Sequence, residues 1–154
     1  MPNHCENDLI ITGDAAAVTA VLEKVDGGVD ERGNRIYLDF EKVIPMPSEY
    51  SSGDGWYDWR CANWGTKWNS YWYGEKLEKK IKKGNQIKLK VTLTFSTAWS
   101  PPTPVIEALI TQFPACEFDL KYYECGGGFK GHFKGKNGSV VVDTTSDYRG
   151  NRGG

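Results

Sequence analysis

The sequence predicts an α+β sandwich, one antiparallel sheet with two helices on one face, and three observations carry that prediction. In QIKLKVTLTF, residues 86–95, Ile87, Leu89, Val91, Leu93 and Phe95 alternate without exception with Gln86, Lys88, Lys90, Thr92 and Thr94, the period of a strand with one face in a core. Two other stretches, 14–25 and 103–113, each carry a single apolar stripe at helical spacing. Asn137-Gly138, between residues 129–136 and 139–145, is the strongest short-range hairpin pattern in the chain.

At 154 residues the chain suffices for one domain, 1–154, with a real core. Its 19 basic and 20 acidic side chains leave a net charge of -1, so no global field draws it toward nucleic acid or an anionic membrane. The longest apolar run is a few residues and the opening MPNHCEND is polar, so neither a membrane span nor a signal peptide is expected, and the cytosol is the expected compartment. The composition stands out in its aromatics: six Trp, eight Tyr and six Phe, with five of the Trp between residues 56 and 72.

Taken in order, DLIIT at 8–12 reads as a short buried strand closed by Gly13. Asp14 is placed to cap a helix whose Val18, Val21, Leu22 and Val25 form one stripe, ended by Gly27 and Gly28. After a polar turn, residues 36–44 read as a second strand, with Ile36, Leu38 and Phe40 opposite Tyr37, Asp39 and Glu41, stopped by Pro45 and Pro47. The segment 48–74 has no sustained period, yet it is too aromatic for a disordered linker. EKLEKKIKK at 75–83 is expected to be a short solvated helix, with Leu77 and Ile81 one turn apart and Glu75 and Glu78 each four residues before a lysine. Together, 48–85 forms an aromatic insertion between the second and third strands.

The strand from Gln86 ends at Pro101 and Pro102, and Thr103 and Pro104 start a second helix with Val105, Ile106, Leu109, Ile110 and Phe113 on its stripe. Cys116, Phe118, Leu120 and Tyr122 alternate through a fourth strand that the Gly126 to Gly128 run breaks. The hairpin occupies 129–145, and the Gly- and Arg-rich tail 146–154 is expected to be frayed. The resulting β-α-β-β-α-β order is that of the ferredoxin-like sandwich, with a C-terminal hairpin added.

Four motifs carry a resemblance: MPNHCENDLIITG at the start, NWGTKW at 63–68, FSTAWSPP at 95–102 and YYECGGGFKG at 122–131. In this combination and order the chain resembles the YubB-like family of phage- and plasmid-borne small proteins with a ferredoxin-like domain. The resemblance implies that fold, a bacterial cytoplasm as workplace and a mobile-element origin. It implies no chemistry.

The residues themselves argue against an enzyme. His4 and His132 are the two histidines, and no motif sets a nucleophile beside a base. Cys5, Cys61, Cys116 and Cys125 lack paired spacing, so free thiols are expected, with no metal and no cofactor. The face of the sheet away from the helices offers Tyr37, Lys88, Lys90, Lys121 and Tyr123 to single-stranded nucleic acid, but Asp39, Glu41, Glu117 and Asp119 share it. The aromatic insertion is the stronger candidate, since so many Trp and Tyr either form a second core or a contact surface, and these residues dominate binding hot spots. The expected function is non-enzymatic binding of a host or defence protein, as inhibitor or decoy, through Trp56, Trp59, Arg60, Trp64, Lys67, Trp68 and Asn69. Trp64 and Trp68, flanking a tight turn, are expected to be largely structural, and Trp56 and Trp59 to make the contact. The alternative is a small ligand among these rings, held by Thr66, Lys67 and Glu124.

Overall fold

The computed structural model describes residues 3–149; Met1, Pro2 and residues 150–154 of the expected tail lie outside the described residues. In chain order the elements are β1 (His4–Asp14), α1 (Ala15–Val25), a short pair β2 (Gly28–Val29) and β3 (Arg35–Ile36), α2 (Phe40–Val43), a 3-10 turn (Ser48–Tyr50), α3 (Gly55–Trp64), β4 (Leu77–Lys83), β5 (Gln86–Ala98), α4 (Thr103–Gln112), β6 (Glu117–Glu124), β7 (Phe129–Lys136) and β8 (Ser139–Asp147). The main sheet is antiparallel throughout, in the order β4-β5-β1-β6-β7-β8. Its first four members, with α1 following β1 and α4 following β5, make a ferredoxin-like α+β sandwich, which the β7–β8 hairpin extends.

Register explains the core. Leu9 faces Leu93 on one side and Leu120 on the other, Ile11 faces Val91 and Phe118, and Leu120 faces Phe133. All are buried against Val18, Val21 and Val25 of α1 and Val105, Ile106, Leu109 and Ile110 of α4. Each such side chain contributes about 1.5–3 kcal/mol of burial. Gly135 lets the helix approach the sheet: a Cβ there would lie 2.3 Å from the Ile110 side chain.

Two expected elements are corrected. Residues 36–44 are not one strand: Ile36 ends β3 and the rest leaves it. Burial does alternate there, with Leu38 and Phe40 inside, but after Ile36 the backbone is satisfied by side chains and by the Val25 carbonyl, which accepts from the Asp39 N–H at 2.8 Å, instead of a neighbouring strand. The Leu38 N–H donates to the Tyr73 hydroxyl at 3.0 Å and the Phe40 N–H to Asn69 Oδ1 at 2.9 Å. Asp39 then accepts from the Glu41 N–H and starts α2, which turns Phe40 and Val43 inward together. Tyr37 and Asp39 therefore do not lie on the open face of the sheet.

Residues 75–83 are not a helix; Leu77–Lys83 is edge strand β4. Leu77 and Ile81 are four apart, which satisfies a helical and a two-residue period equally. What decides is β5, which offers an edge joined through Gly84 and Asn85, with Gly84 at φ 59. Lys79, Lys80, Lys82 and Lys83 suit that edge, because a row of charges discourages further pairing. The aromatic segment consequently lies between α1 and β4 and contains a helix of its own, α3.

Smaller differences concern ends. The first strand starts at His4, not Asp8, which adds His4 and Glu6 to the open face. Asp14 does not cap α1; its carboxylate meets Lys88 Nζ at 2.9 Å. The last strand runs to Asp147, beyond the expected end of the hairpin, and Tyr148 stacks on Tyr123. No helix among the described residues is long and apolar enough to cross a membrane.

Candidate functional site

The aromatic segment resolves into an inner and an outer tier. Trp64 is fully buried and anchors the inner one: its indole N–H donates to the Ile44 carbonyl at 2.8 Å, and Phe40 and Trp59 each stand edge-on at 5.7 Å. The Arg60 guanidinium lies over the rings of Trp56 and Trp64, at 5.2 and 5.0 Å. Tyr50 leans on Trp59. Trp56 and Trp59, expected at the contact surface, are thus half-buried in this second core.

Gly65 ends α3 at φ 78, and a Cβ there would approach Pro104 to 2.7 Å. The chain that follows is held on both sides. Thr66 donates to the Ala98 carbonyl at 2.7 Å, and Ser100 donates to the Gly65 carbonyl. Asn69 accepts from the Phe40 and Ser70 N–H groups and donates to Asp39 at 2.8 Å, and Ser70 donates to the Leu38 carbonyl. Burial pushes the Tyr73 phenol up to about 12, so it stays a neutral partner for Leu38 and Ser70. Asn69, expected at a contact rim, is an internal brace.

The outer tier is what this bracing holds up. Tyr71 exchanges both backbone bonds with Ser96 of β5, and the Gly74 N–H reaches the Thr94 carbonyl at 3.0 Å. Between them Trp72 is 66% exposed and sits at φ 51, a left-handed backbone that bulky residues rarely adopt. Its ring meets that of His4, whose Nδ1 lies 2.7 Å from the Tyr71 hydroxyl. Trp68 is 37% exposed, with Lys67 Nζ 4.5 Å from its ring centre. Trp99, at φ 71, is a second exposed, left-handed tryptophan, at the end of β5. Residues 68–74 line an open groove of about 1010 Å³ together with Asp30, Glu31 and Arg32 of the loop joining β2 and β3 and with Tyr37 just after β3, and His4 and Arg60 are also in its lining. A bidentate pair between Arg35 and Asp26 clamps the base of that loop.

The open face of the sheet carries paired polar and charged side chains. Asp119 meets His132 at 2.8 Å, Lys134 lies 3.6 Å from Glu117, and Lys88 is paired with Asp14. Lys90 sits across from Thr12 and Lys79, and Lys121 across from Asp8 and His132. Tyr123 stacks on Tyr148, with centroids 5.4 Å apart. Tyr37 is away from this group, edge-on to Tyr73 beside the groove.

Thr66 is buried and Glu124 is buried elsewhere, its carboxylate accepting from the Gly126 and Gly127 N–H groups at 2.6 Å each. Neither reaches the groove lining. Cys5 and Cys116 are buried, and Cys61 and Cys125 are exposed. Among the described residues no three His, Cys, Asp or Glu side chains gather as a metal site. The contact residues expected from the sequence do not include His4, Tyr71 or Trp72, which the structure brings together in the outer tier. The alternation of β1 extends back to His4 and could have placed it on the open face, whereas the left-handed turn at Trp72 leaves no local pattern.

A family model described as a ferredoxin-like domain in Api92-like protein matches residues 67–152. That range includes the 68–74 wall of the groove and every element from β4 to β8. The crystal structure of the protein api92 from Yersinia pseudotuberculosis has a TM-score of 0.64 to this chain, covering 98% of it and 99% of that chain at 12% identity, a likeness of fold. No curated protein matches the sequence.

Proposed function

We propose, from the premise that the chain belongs to the family with the ferredoxin-like domain of Api92-like proteins, that it is a non-enzymatic binding protein whose groove and outer aromatic tier grip a protein partner. One observation carries the reading: Trp72 is 66% exposed on a left-handed backbone. Such a conformation costs on the order of 1–2 kcal/mol for a residue with a Cβ. An indole that is mostly exposed and touches the rings of His4 and Tyr71 returns only part of that to folding, which favours a contact made outside the chain.

Trp68 and Lys67 belong to the same surface, and Trp99 presents a further exposed ring. Trp56, Trp59, Trp64, Arg60 and Asn69 support it from below. The resemblance to phage- and plasmid-borne proteins favours a host or defence protein in a bacterial cytoplasm as the partner, engaged as inhibitor or decoy. A small ligand is less well supported, because Thr66 and Glu124 spend their polar atoms internally. The test is capture from bacterial lysate by the wild-type chain, by Trp72→Ala and by Trp56→Ala, with native mass measurement of what is held. A partner kept by Trp56→Ala and lost by Trp72→Ala supports the reading; equal capture by all three removes it.

A further inference from the structure

We infer that the ribbon of β4 and β5 is a second binding surface, one that holds the phosphate backbone of a double-stranded nucleic acid without reading its sequence. It lies toward the other end of β5 from the groove wall, where residues 79–83 pair with residues 86–90, and it does not depend on the groove as a binding site.

Basic charge is concentrated there. Residues 76–90 hold seven of the 19 basic side chains and one of the 20 acidic ones, so the net charge of -1 conceals a basic ribbon on an acidic remainder. Lys80 and Lys82, in register with Leu89 and Ile87, lie on the face of the ribbon turned toward the helices; Lys79, Lys83 and Lys90 lie on the open face. All five are exposed.

Edge protection does not account for this arrangement. Lysines on β4 alone would blunt the edge, but Lys90 belongs to β5, an interior strand, and stands directly opposite Lys79. Like charges in that position repel and cost stability. Other lysines of the sheet and its approach have carboxylates: Lys76 meets Glu78 at 3.0 Å, Lys88 meets Asp14 at 2.9 Å and Lys134 lies 3.6 Å from Glu117. Lys79, Lys80, Lys82, Lys83 and Lys90 form no ion pair among the described residues, and the acids of the neighbouring register, Glu78 and Asp14, are already taken by Lys76 and Lys88.

The side chains around these lysines select the kind of polyanion. Residues 76–90 include no aromatic side chain on which an unpaired base could stack, as single-strand binding requires. Leu77 and Ile81 lie on one face of the ribbon and Ile87 on the other, so no continuous apolar face is offered to a lipid surface. What remains is a row of lysine point charges. A duplex carries one charge per about 1.7 Å of its axis and releases counter-ions to such a row. Contacts of this kind fix position and carry no sequence information.

The experiment is a fluorescence-anisotropy titration of a labelled, mixed-sequence DNA duplex with the full chain at several salt concentrations, with melting temperatures taken alongside. The wild-type chain should bind at low salt and weaken steeply as salt rises. Lys79→Glu should weaken binding several-fold and flatten the salt dependence by about one in log-log slope. It should nonetheless melt at or above the wild-type temperature, because it turns a repelling cross-strand pair with Lys90 into an attracting one. Joint substitution of Lys80 and Lys82 by Glu should weaken binding about tenfold or more, whereas Lys42→Glu, the same charge change on α2, and Trp72→Ala should bind the duplex as the wild type does. The inference is overturned if the duplex does not bind at low salt, if binding survives the ribbon substitutions, or if Lys42→Glu weakens it as much as Lys79→Glu. Tighter binding of polyglutamate or of phosphatidylserine-containing vesicles than of the duplex also overturns it. Loss of duplex binding in Trp72→Ala would overturn the placement on the ribbon, and failure of protein capture through Trp72 leaves this inference standing.

Discussion

The rings of His4 and Trp72 stand 4.3 Å apart, centroid to centroid, although one residue opens β1 and the other lies in the chain leading to β4. Strand β5 lies between them: His4 pairs with Ala98, and Tyr71, next to Trp72, pairs with Ser96. The sheet thus positions the outer aromatic tier directly. That tier should be rigid in the free chain and ready for contact, and substitution of His4 by Ala should weaken partner capture several-fold with little change in melting temperature. A large loss of stability with unchanged capture would show that His4 only fastens the loop.

The two faces of the sheet should respond oppositely to charge. Leu93 is buried between Leu9 and the helices, so Leu93→Asp should unfold the domain, at a cost of several kcal/mol. Thr92, opposite Ile10 and Leu77 on the other face, is half-exposed, and Thr92→Asp should be tolerated. Urea denaturation of the two variants checks this; equal damage would contradict the one-face-buried core.

Within the aromatic segment, burial predicts which tryptophan matters to folding. Trp64→Ala removes a fully buried ring and the bond to Ile44, and should cost roughly 3–5 kcal/mol. Trp68→Ala should cost well under half of that. Thermal melts of both variants decide, and similar losses would place Trp68 in the core.

The loop between β2 and β3 should loosen in acid. The Arg35 hydrogen bond, helped by the Gly28 N–H, holds the Asp26 carboxyl down at about 2. A folded value below the unfolded one means that the contribution is present above about pH 4 and is lost as pH falls through about 2. The pair is partly exposed, so Asp26→Asn should cost less than about 1 kcal/mol at neutral pH. That difference from wild type, read by denaturant titration, should shrink toward zero near the lower pH; a difference that persists there would contradict the assignment.

The thiols should divide by burial. Cys61 and Cys125 are exposed, while Cys5 is buried, with burial pushing its thiol up to about 12. A thiol reagent at neutral pH should label the first two in the native chain, and label Cys5 and Cys116 only after denaturation. Rapid native labelling of Cys5 would contradict its place in the core.

Much of this fold is legible in the sequence because its periods are local. The alternation of residues 86–95 and the stripes at Val18, Val21, Val25 and at Val105, Ile106, Leu109, Ile110 name the buried faces with no tertiary information. The stretch from Ile36 to Phe40 also reports burial faithfully, yet its backbone partners, Tyr73 and Asn69, lie some thirty residues away and no local pattern foretells them. Leu77 and Ile81 fit two periods at once, so only the edge of β5 settles β4 as a strand. At the site, Lys67 and Trp68 stand out by composition. What makes Trp72 distinctive is a backbone angle and a contact with His4, and neither is written in neighbouring residues.

The most direct measurement is partner capture by Trp72→Gly, with its melting temperature taken alongside. Glycine accepts the left-handed backbone without strain, so this variant should melt at or slightly above the wild-type temperature. On the present account it should nonetheless lose the partner. A variant that melts normally and still captures the partner at wild-type strength would contradict the claim that the outer aromatic tier exists for binding.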